Sequence, residues 1–292
     1  MHILGINAYH GGASACIIRD GQLIAAAEEE RFTRVKYWAG FPTHAIRYCL
    51  SAAGITPQDL DHVGISRNPS ANLMKKALFT FARRPNLHFV RDRLSNSLRV
   101  RDLESVFTKR LEVEPSSLKA YFHNVEHHRA HMASAFYVSP FDEAAILSVD
   151  GMGDFVSTMW GVGKGRRLEV DGSISFPHSL GIFYSAVTQW LGFPKYGDEG
   201  KVMGLAPFGE PVFLDQMRGI VRLQRDGTFE LDLDYFVHHA EGVTMSWDDA
   251  EPKLGILFSE RFVREFGEPR VPGTEITKRH QDVAASLQAM LE

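Results

Sequence analysis

The chain has 292 residues, of which 44% are hydrophobic and 23% are charged, and its formal net charge is −4. This composition is typical of a globular protein with room for two packed lobes, and the small negative charge argues against a general nucleic-acid binder or a membrane-surface protein. The two cysteines, Cys16 and Cys49, are too few for a disulfide framework or a thiolate zinc site. We expect a cytoplasmic protein, because the sequence shows neither a signal peptide nor an apolar run of transmembrane length.

The segment from Met1 to Ile65 is predicted to form a three-stranded meander, a helix and one further strand. Short apolar runs predict strands over residues 3–7, 13–18, 23–27 and 63–65. The Asp20-Gly21 pair is a strong signal for a two-residue hairpin turn between the second and third strands. Thr43 is predicted as the N-cap of the helix, which would end at Gly54.

A turn rich in small residues follows the first strand and contains a histidine. His10 precedes Gly11 and Gly12, and Ser14 lies in the next strand, so a ligand could approach the backbone closely. An imidazole titrates near neutral pH, and His10 could therefore take a proton from a hydroxyl nucleophile. The alternative is an exposed turn histidine without a chemical role.

Two charged segments are open to a structural or a functional interpretation. Residues 28–36 contain three acids and then three bases, which is usually a solvated run, but Arg31, Arg34 or Lys36 could contact an anionic group. Residues 67–110 contain eleven Lys or Arg residues and three acids. We interpret this second segment as a helical insertion with a solvated basic face. The first alternative is a docking surface for another domain, and the second, less favoured one is a nucleic-acid-binding surface.

The segment His127-His128-Arg129-Ala130-His131 carries a metal-binding pattern. On a helix, His127 and His131 are four residues apart and lie on one face, where both imidazoles can bind one ion. Residues 144–149 read as a buried strand that ends at Asp150, which would add a carboxylate. Two imidazoles and a carboxylate with open positions are typical of a catalytic metal site. A solvent-facing histidine pair is the alternative. His128 is predicted to point elsewhere on the helix and either to support the ligands or to pack in the core.

The opening hairpin has a second copy in the sequence. Residues 3–7 align with residues 146–150, and at the same offset Ser14 falls on Ser157. In each copy a strand ends at Asn or Asp and turns through a glycine-rich loop. Chance similarity between two hairpins is the alternative. Otherwise the pattern indicates the duplicated phosphate-binding hairpin of the actin/Hsp70/sugar-kinase (ASKHA) architecture, an α/β fold whose two lobes bind a nucleotide between them, near Gly11, Gly12, Ser14 and Gly151.

Two features of the C-terminal part remain. Residues 197–209 are predicted to form a glycine-rich loop around Lys201, with Gly200 and Gly204 beside it, which could contact phosphate oxygens although its spacing is not that of a P-loop. Residues 277–292 carry a helical apolar stripe and end without a stop signal. A frayed terminal helix would explain that end, but we expect the chain to be part of a longer protein.

Together these segments resemble the NodU/CmcH family of O-carbamoyltransferases, in its N-terminal, TsaD-like domain. The resemblance covers nearly the whole chain. The matching segments are Gly5-Ile6 through His10, Ser14-Ala15, Asp20-Gly21, Ala25 to Phe32, His127 to Phe136, Asp150-Gly151, Ser179-Leu180-Gly181, Glu199 to Ala206, and Arg279 to Ser286.

The resemblance implies a pair of lobes that binds carbamoyl-adenylate and a divalent metal ion, expected to be Fe²⁺. It implies that His127, His131 and Asp150 ligate this ion, that His10 acts on the acceptor hydroxyl, and that the Lys201 segment belongs to the adenylate cleft. By the same resemblance, a C-terminal YrdC-like domain makes carbamoyl-adenylate from ATP and carbamoyl phosphate. From the ligand types alone, iron, manganese and zinc remain open.

The domain boundaries follow from this comparison. We predict a first TsaD-like lobe over residues 1–140 with a helical insertion at about 67–120, and an incomplete second lobe over residues 141–292. By the resemblance, we expect the YrdC-like domain, a second glycine-rich nucleotide loop and a further aspartate ligand to follow in a longer protein. One departure from the family pattern is Tyr37 after Lys36, where a histidine is usual.

The expected function is transfer of a carbamoyl group to a hydroxyl of a sugar or natural-product acceptor, with this fragment alone inactive or incomplete. The expected partners are a small-molecule acceptor and the YrdC-like domain, without nucleic acid or membrane, and residues 67–110 would shape the acceptor site or a homodimer contact. The alternatives are a tRNA threonylcarbamoyl-transfer protein, a hydrogenase-maturation carbamoyltransferase and a non-catalytic nucleotide-binding module.

Overall fold

The structure is a computed structural model that describes residues 1–83, 102–241, 250–252 and 254–292. Residues 84–101, which are part of the predicted basic insertion, lie outside the described residues. The fold is mixed α/β. Within the described part, no helix combines the length and hydrophobicity needed to cross a bilayer.

The described helices and strands are numbered in chain order. The strands are β1 (His2–Asn7), β2 (Ser14–Arg19), β3 (Gln22–Glu28), β4 (His62–Ile65), β5 (Tyr121–Asn124), β6 (Glu143–Gly153), β7 (Val156–Lys164), β8 (Arg167–Ser175), β9 (Val221–Leu223) and β10 (Phe229–Leu231). The helices are α1 (Glu30–Thr33), α2 (Thr43–Ala53), α3 (Leu73–Arg83), α4 (Leu103–Leu111), α5 (His127–Phe136), α6 (Leu180–Trp190), α7 (Glu199–Leu205), α8 (Leu214–Ile220), α9 (His238–Glu241), α10 (Glu260–Phe266) and α11 (Lys278–Leu291).

The chain divides into two compact units. Among the described residues, the first unit contains 1–71, 102–130 and 250–252, and the second contains 72–83, 131–241 and 254–292. The division falls inside helix α5, after Ala130, so this helix is continuous with both units.

The first unit is built on a five-stranded sheet in the order β3-β2-β1-β4-β5. Strands β1, β2 and β3 form the predicted antiparallel meander, while β4 and β5 run parallel to β1. Asp20 and Gly21 have φ angles of 49° and 84°, as the predicted two-residue turn requires. Leu4, Ile6 and Val63 point to the buried face and pack with residues of α2 and α4.

Helix α2 shows how a distant carboxylate replaces a local cap. Thr43 is the first helical residue and not the N-cap, so that prediction is wrong. Instead the buried Glu29 carboxylate accepts hydrogen bonds from the backbone N–H groups of His44 at 3.1 Å and Ala45 at 2.7 Å. These N–H groups have no partner within the helix, and a negative charge is favourable at a helix N-terminus. Gly54 ends the helix as predicted, with φ of 65°.

The second unit contains the antiparallel meander β6-β7-β8 and a largely helical core. Helix α6 begins close to the backbone of β6. A Cβ atom at Gly181 would lie only 2.6 Å from the backbone of Gly151, so this contact requires glycine at position 181. The predicted apolar stripe near the end of the chain is confirmed in α11, where Val283, Ala284 and Leu287 are buried.

The hairpins β1–β2 and β6–β7 share one backbone register. Leu4 pairs with Ile17 in the first unit, and Leu147 pairs with Trp160 in the second, so both strands keep the offset seen in the sequence. The second hairpin then continues further and closes at a turn through Asp154 and Phe155. The two hairpins therefore have equivalent pairing and different turns.

Candidate metal centre

Helix α5 carries the histidine pair, and its first residue is anchored in the first unit. His127 Nδ1 lies 3.2 Å from the backbone carbonyl oxygen of Ser66, at the end of β4. A carbonyl oxygen can only accept a hydrogen bond, so the His127 proton is on Nδ1 and the lone pair is on Nε2. This is the tautomer and the ring orientation that an imidazole ligand of a metal ion needs.

The second histidine lies beside a carboxylate of the second unit. His131 Nε2 is 3.6 Å from Asp150 Oδ2, and their side chains are 49% and 38% exposed, so an ion from solvent can reach both. Asp150 Oδ1 accepts a hydrogen bond from the Gly151 N–H at 2.6 Å. The hydroxyl of Ser179, the N-cap of α6, donates to the Gly151 carbonyl oxygen at 2.6 Å and fixes the backbone that carries Asp150.

These three side chains form the one group of its kind in the described part of the chain. One ligand atom from each of His127, His131 and Asp150 lies within 4.8 Å of the others. His127 is buried, whereas His131 is exposed and Asp150 is partly exposed. Two imidazoles and one carboxylate suit Fe²⁺, Mn²⁺ or Zn²⁺, and they leave coordination positions for other ligands. The residues present therefore fit a divalent ion.

The first hairpin turn brings His10 next to His127. The two rings are 5.5 Å apart between centroids and meet edge to face. The turn is held from one side by Asn7, whose Nδ2 donates to the Gly12 carbonyl oxygen at 2.9 Å. Asn7 Oδ1 accepts a hydrogen bond from the Ser66 hydroxyl at 2.8 Å. One side chain thus connects the His10 turn to the residue that orients His127.

Ser14 and Gly151 were predicted to bind the nucleotide, and this role stays a prediction. Ser14 starts β2 opposite Asn7, and Gly151 follows Asp150 in β6. His128 is fully buried, with its ring 5.5 Å from the ring of His127, which agrees with the predicted packing role.

The charged run after β3 has a structural role that the sequence did not indicate. Glu29 caps α2, and Glu30 accepts a hydrogen bond from the Tyr37 N–H at 2.8 Å. The side chains of Arg31, Arg34 and Lys36 are exposed, and Arg31 Nε is 4.0 Å from Glu28 Oε2. Anion binding by these three residues stays a prediction.

The glycine-dense segment around Lys201 is helical, and the prediction of an open loop there is wrong. Residues Glu199–Leu205 form helix α7, and a 3₁₀ turn follows over Ala206–Phe208. Gly200 and Gly204 lie within a run of good helix formers, and the left-handed Gly197 precedes the helix. Lys201 Nζ pairs with Asp198 Oδ1 at 2.6 Å. Phosphate binding by Gly200, Lys201 and Gly204 stays a prediction.

Comparison with known proteins places this geometry in a family. The model of the family described as "Carbamoyltransferase N-terminus" matches residues 2–292. The chain belongs to the carbamoyltransferase N-terminus family. It is 38% identical to the uncharacterized protein sll1178 of Synechocystis over its whole length, and 33% identical to the nodulation protein NolNO of Sinorhizobium fredii over 97% of its length.

The chain spans less than half the length of these relatives, 46% of sll1178 and 37% of NolNO. Among solved structures, YeaZ from Pseudomonas aeruginosa is 12% identical, and the alignment covers 61% of this chain and 68% of the YeaZ chain. Its TM-score of 0.33 is too low to bear on the fold.

Proposed function

We propose that this chain is the metal-binding and acceptor-activating part of an O-carbamoyltransferase. The reaction would transfer a carbamoyl group from carbamoyl-adenylate to a hydroxyl of a sugar or natural-product acceptor. The observation that carries the proposal is the group of His127, His131 and Asp150, with His10 beside it, in a member of the carbamoyltransferase N-terminus family.

The proposed architecture is a pair of ASKHA-type lobes, each opened by a phosphate-binding hairpin. The support is the register that β1–β2 and β6–β7 share at one constant offset along the chain. In this proposal the hairpin turns approach the phosphate of the adenylate, which uses Gly11 and Gly12 of the first hairpin and Gly151 of the second.

The metal ligands would be His127 through Nε2, His131 through Nε2 and Asp150 through its carboxylate. A divalent ion bound there, proposed as Fe²⁺, would act as a Lewis acid toward a carbamoyl or phosphate oxygen. The chain's own contribution is orientation, because the Ser66 carbonyl fixes the ring of His127 and the Gly151 N–H fixes one oxygen of Asp150.

His10 would remove the proton from the acceptor hydroxyl. Its Nδ1 lies 3.3 Å from the Gly11 carbonyl oxygen, which favours a proton on Nδ1 and a basic Nε2. The acceptor oxygen then bonds to the carbamoyl carbon, and the bond between that carbon and the phosphate oxygen breaks. AMP leaves with the electron pair, and the hydroxyl proton passes to His10 Nε2.

The remaining parts of the activity are proposed for the natural full-length protein. The relatives are more than twice as long as this chain, which leaves room for a YrdC-like domain that forms carbamoyl-adenylate from ATP and carbamoyl phosphate. That domain would be a partner of this site and would supply its substrate.

The test compares two substitutions on helix α5 in the natural full-length protein. His131→Ala removes one ligand, and we expect loss of bound Fe²⁺ and of carbamoyl transfer to a panel of hydroxylated acceptors. Ser134→Ala is the matched control, because Ser134 is exposed one turn away and should leave both unchanged. Full metal occupancy and full transfer in the His131 variant would overturn the proposal. Adenylate binding without any transfer by the wild-type protein would instead support the non-catalytic module.

A further inference from the structure

A second pair of histidines lies on the first unit's sheet, away from helix α5. Val63 and Ile65 of β4 point into the core, so the alternating residues His62 and Gly64 lie on the opposite face. Gly64 pairs with His123 of β5, which makes His62 and His123 diagonal neighbours across the two strands. Their facing atoms, His62 Nδ1 and His123 Nε2, are 3.0 Å apart.

We propose that His62 and His123 form a binding site for a divalent late transition-metal ion such as Zn²⁺. Metal–imidazole bonds are about 2.0–2.1 Å long, which puts two ligand nitrogens about 2.9 Å apart at a right angle and about 3.4 Å apart in a tetrahedron. The observed 3.0 Å lies within this range. Neutral imidazoles select zinc, copper and nickel over magnesium and calcium, which prefer oxygen ligands.

The surroundings leave room for an ion and its remaining ligands. The two histidines line an open depression of about 400 Å³, together with Ile3, Gly64 and Val125. A side chain at Gly64 would meet nothing within 4 Å, so the space beside His123 is open to water. Asp61 precedes His62 in the chain, but its carboxylate accepts from the His2 N–H at 2.8 Å and pairs with Lys119 at 3.8 Å. The protein ligands are therefore the two imidazoles, and water would complete the coordination.

The contact between the rings in the absence of metal is a hydrogen bond, in which one ring donates to the other. Metal binding needs both facing nitrogens deprotonated, and the two neutral rings achieve this by carrying their protons on His62 Nε2 and His123 Nδ1. The bound ion would link β4 to β5, the strand that leads into helix α5.

The test measures zinc bound to the full chain by equilibrium dialysis and elemental analysis, in the background of His131→Ala. In that background we expect about one Zn²⁺ per chain, and at least tenfold weaker binding after His62→Gln and His123→Gln are added. His44→Gln, on an exposed histidine of the same unit, is the matched control and should bind like the background. Equal zinc binding with and without the double substitution would overturn the proposal.

A second measurement does not depend on variants that could affect folding. Crystals soaked in Zn²⁺ should give an anomalous diffraction peak between His62 Nδ1 and His123 Nε2. Zinc found only at other positions would contradict the proposal. The inference is separate from the proposed function, because failure of the α5 site would leave zinc at His62 and His123 unchanged.

Discussion

The two hairpins that share a register differ in the polar residue at equivalent positions and in the turn that follows. In the first unit, Asn7 ends β1, and residues 8–13 form a turn that contains His10. In the second unit, β6 passes through Asp150 and closes at a tight turn. Asn7 can donate and accept, so it connects the His10 turn to Ser66, whereas Asp150 presents a charged carboxylate to His131. Equivalent backbone positions thus carry a residue that connects two turns in one unit and a proposed metal ligand in the other.

The largest expected effect comes from the turn that only the first hairpin has. His10→Gln removes the proposed base while its amide can still bond within the turn. We expect the rate of carbamoyl transfer to fall by about 10²–10⁴-fold, the usual contribution of a general base, while bound metal is unchanged. Rates and metal content of the variant check this, and a rate close to that of the wild type would remove His10 from the reaction.

The second unit contains a buried histidine, His238, whose titration should make stability depend on pH. Burial lowers the pKa of His238 to about 4, against the opposing effect of its hydrogen bond to the Pro177 carbonyl oxygen. The unfolded chain therefore binds a proton near pH 6.5 that the folded chain refuses, and stability present above pH 6.5 is lost as the pH falls toward 4. The loss should be about 3 kcal/mol. Urea unfolding at pH 7 and pH 4 should show a smaller loss in His238→Gln, and an equal loss would contradict this account.

The stability of the chain should depend on the amide of Asn7, which connects the His10 turn to Ser66. Asn7→Asp keeps the acceptor for Ser66 but replaces the donor to the Gly12 carbonyl oxygen with a second oxygen. We expect a loss of about 2 kcal/mol in the free energy of unfolding, since a partly buried carbonyl loses its partner and faces a carboxylate oxygen instead. The reverse change, Asp150→Asn, keeps an acceptor for the Gly151 N–H and should cost much less. A similar loss in the free energy of unfolding for the two variants would contradict the claim that only position 7 needs an amide donor.

The smallest effect separates the glycines of the two hairpins. Gly12 has a φ of 79°, whereas Gly151 has no left-handed φ and nothing within 4 Å of an added Cβ. Gly12→Ala should destabilise the chain by about 1 kcal/mol because of backbone strain. Gly151→Ala should be close to neutral. Thermal unfolding of both variants checks the difference, and equal midpoints would contradict it.

Local patterns predict five of the ten described strands, β1 to β4 and β6. Short apolar runs locate β1 to β4, and Asp20-Gly21 specifies the turn between β2 and β3, because these signals act over a few residues. Local patterns do not predict the cap of α2, because Glu29 lies outside this helix and well before Thr43 in the sequence. Local patterns also do not predict the helix over residues 199–205, because its two glycines lower the helix propensity of the segment.

The grouping of the three candidate ligands could be predicted from the sequence, whereas the contacts that orient them could not. The i, i+4 spacing located His127 and His131, and the end of an apolar strand located Asp150. The contact of His127 with Ser66 joins residues 61 positions apart, and His62 is equally far from His123. Such pairs depend on the parallel register of β1, β4 and β5, which no local pattern specifies.

Metal content of the two hairpin variants tests the central claim most directly. The natural full-length protein, Asp150→Asn and Asn7→Asp would each be dialysed against Fe²⁺ without oxygen and analysed for iron, with His62 and His123 replaced by Gln throughout. The account predicts about one iron per chain in the reference protein, most of it retained in Asn7→Asp, and none retained in Asp150→Asn. Equal iron in the Asp150→Asn variant and the reference protein would contradict the assignment of Asp150, and with it the metal centre.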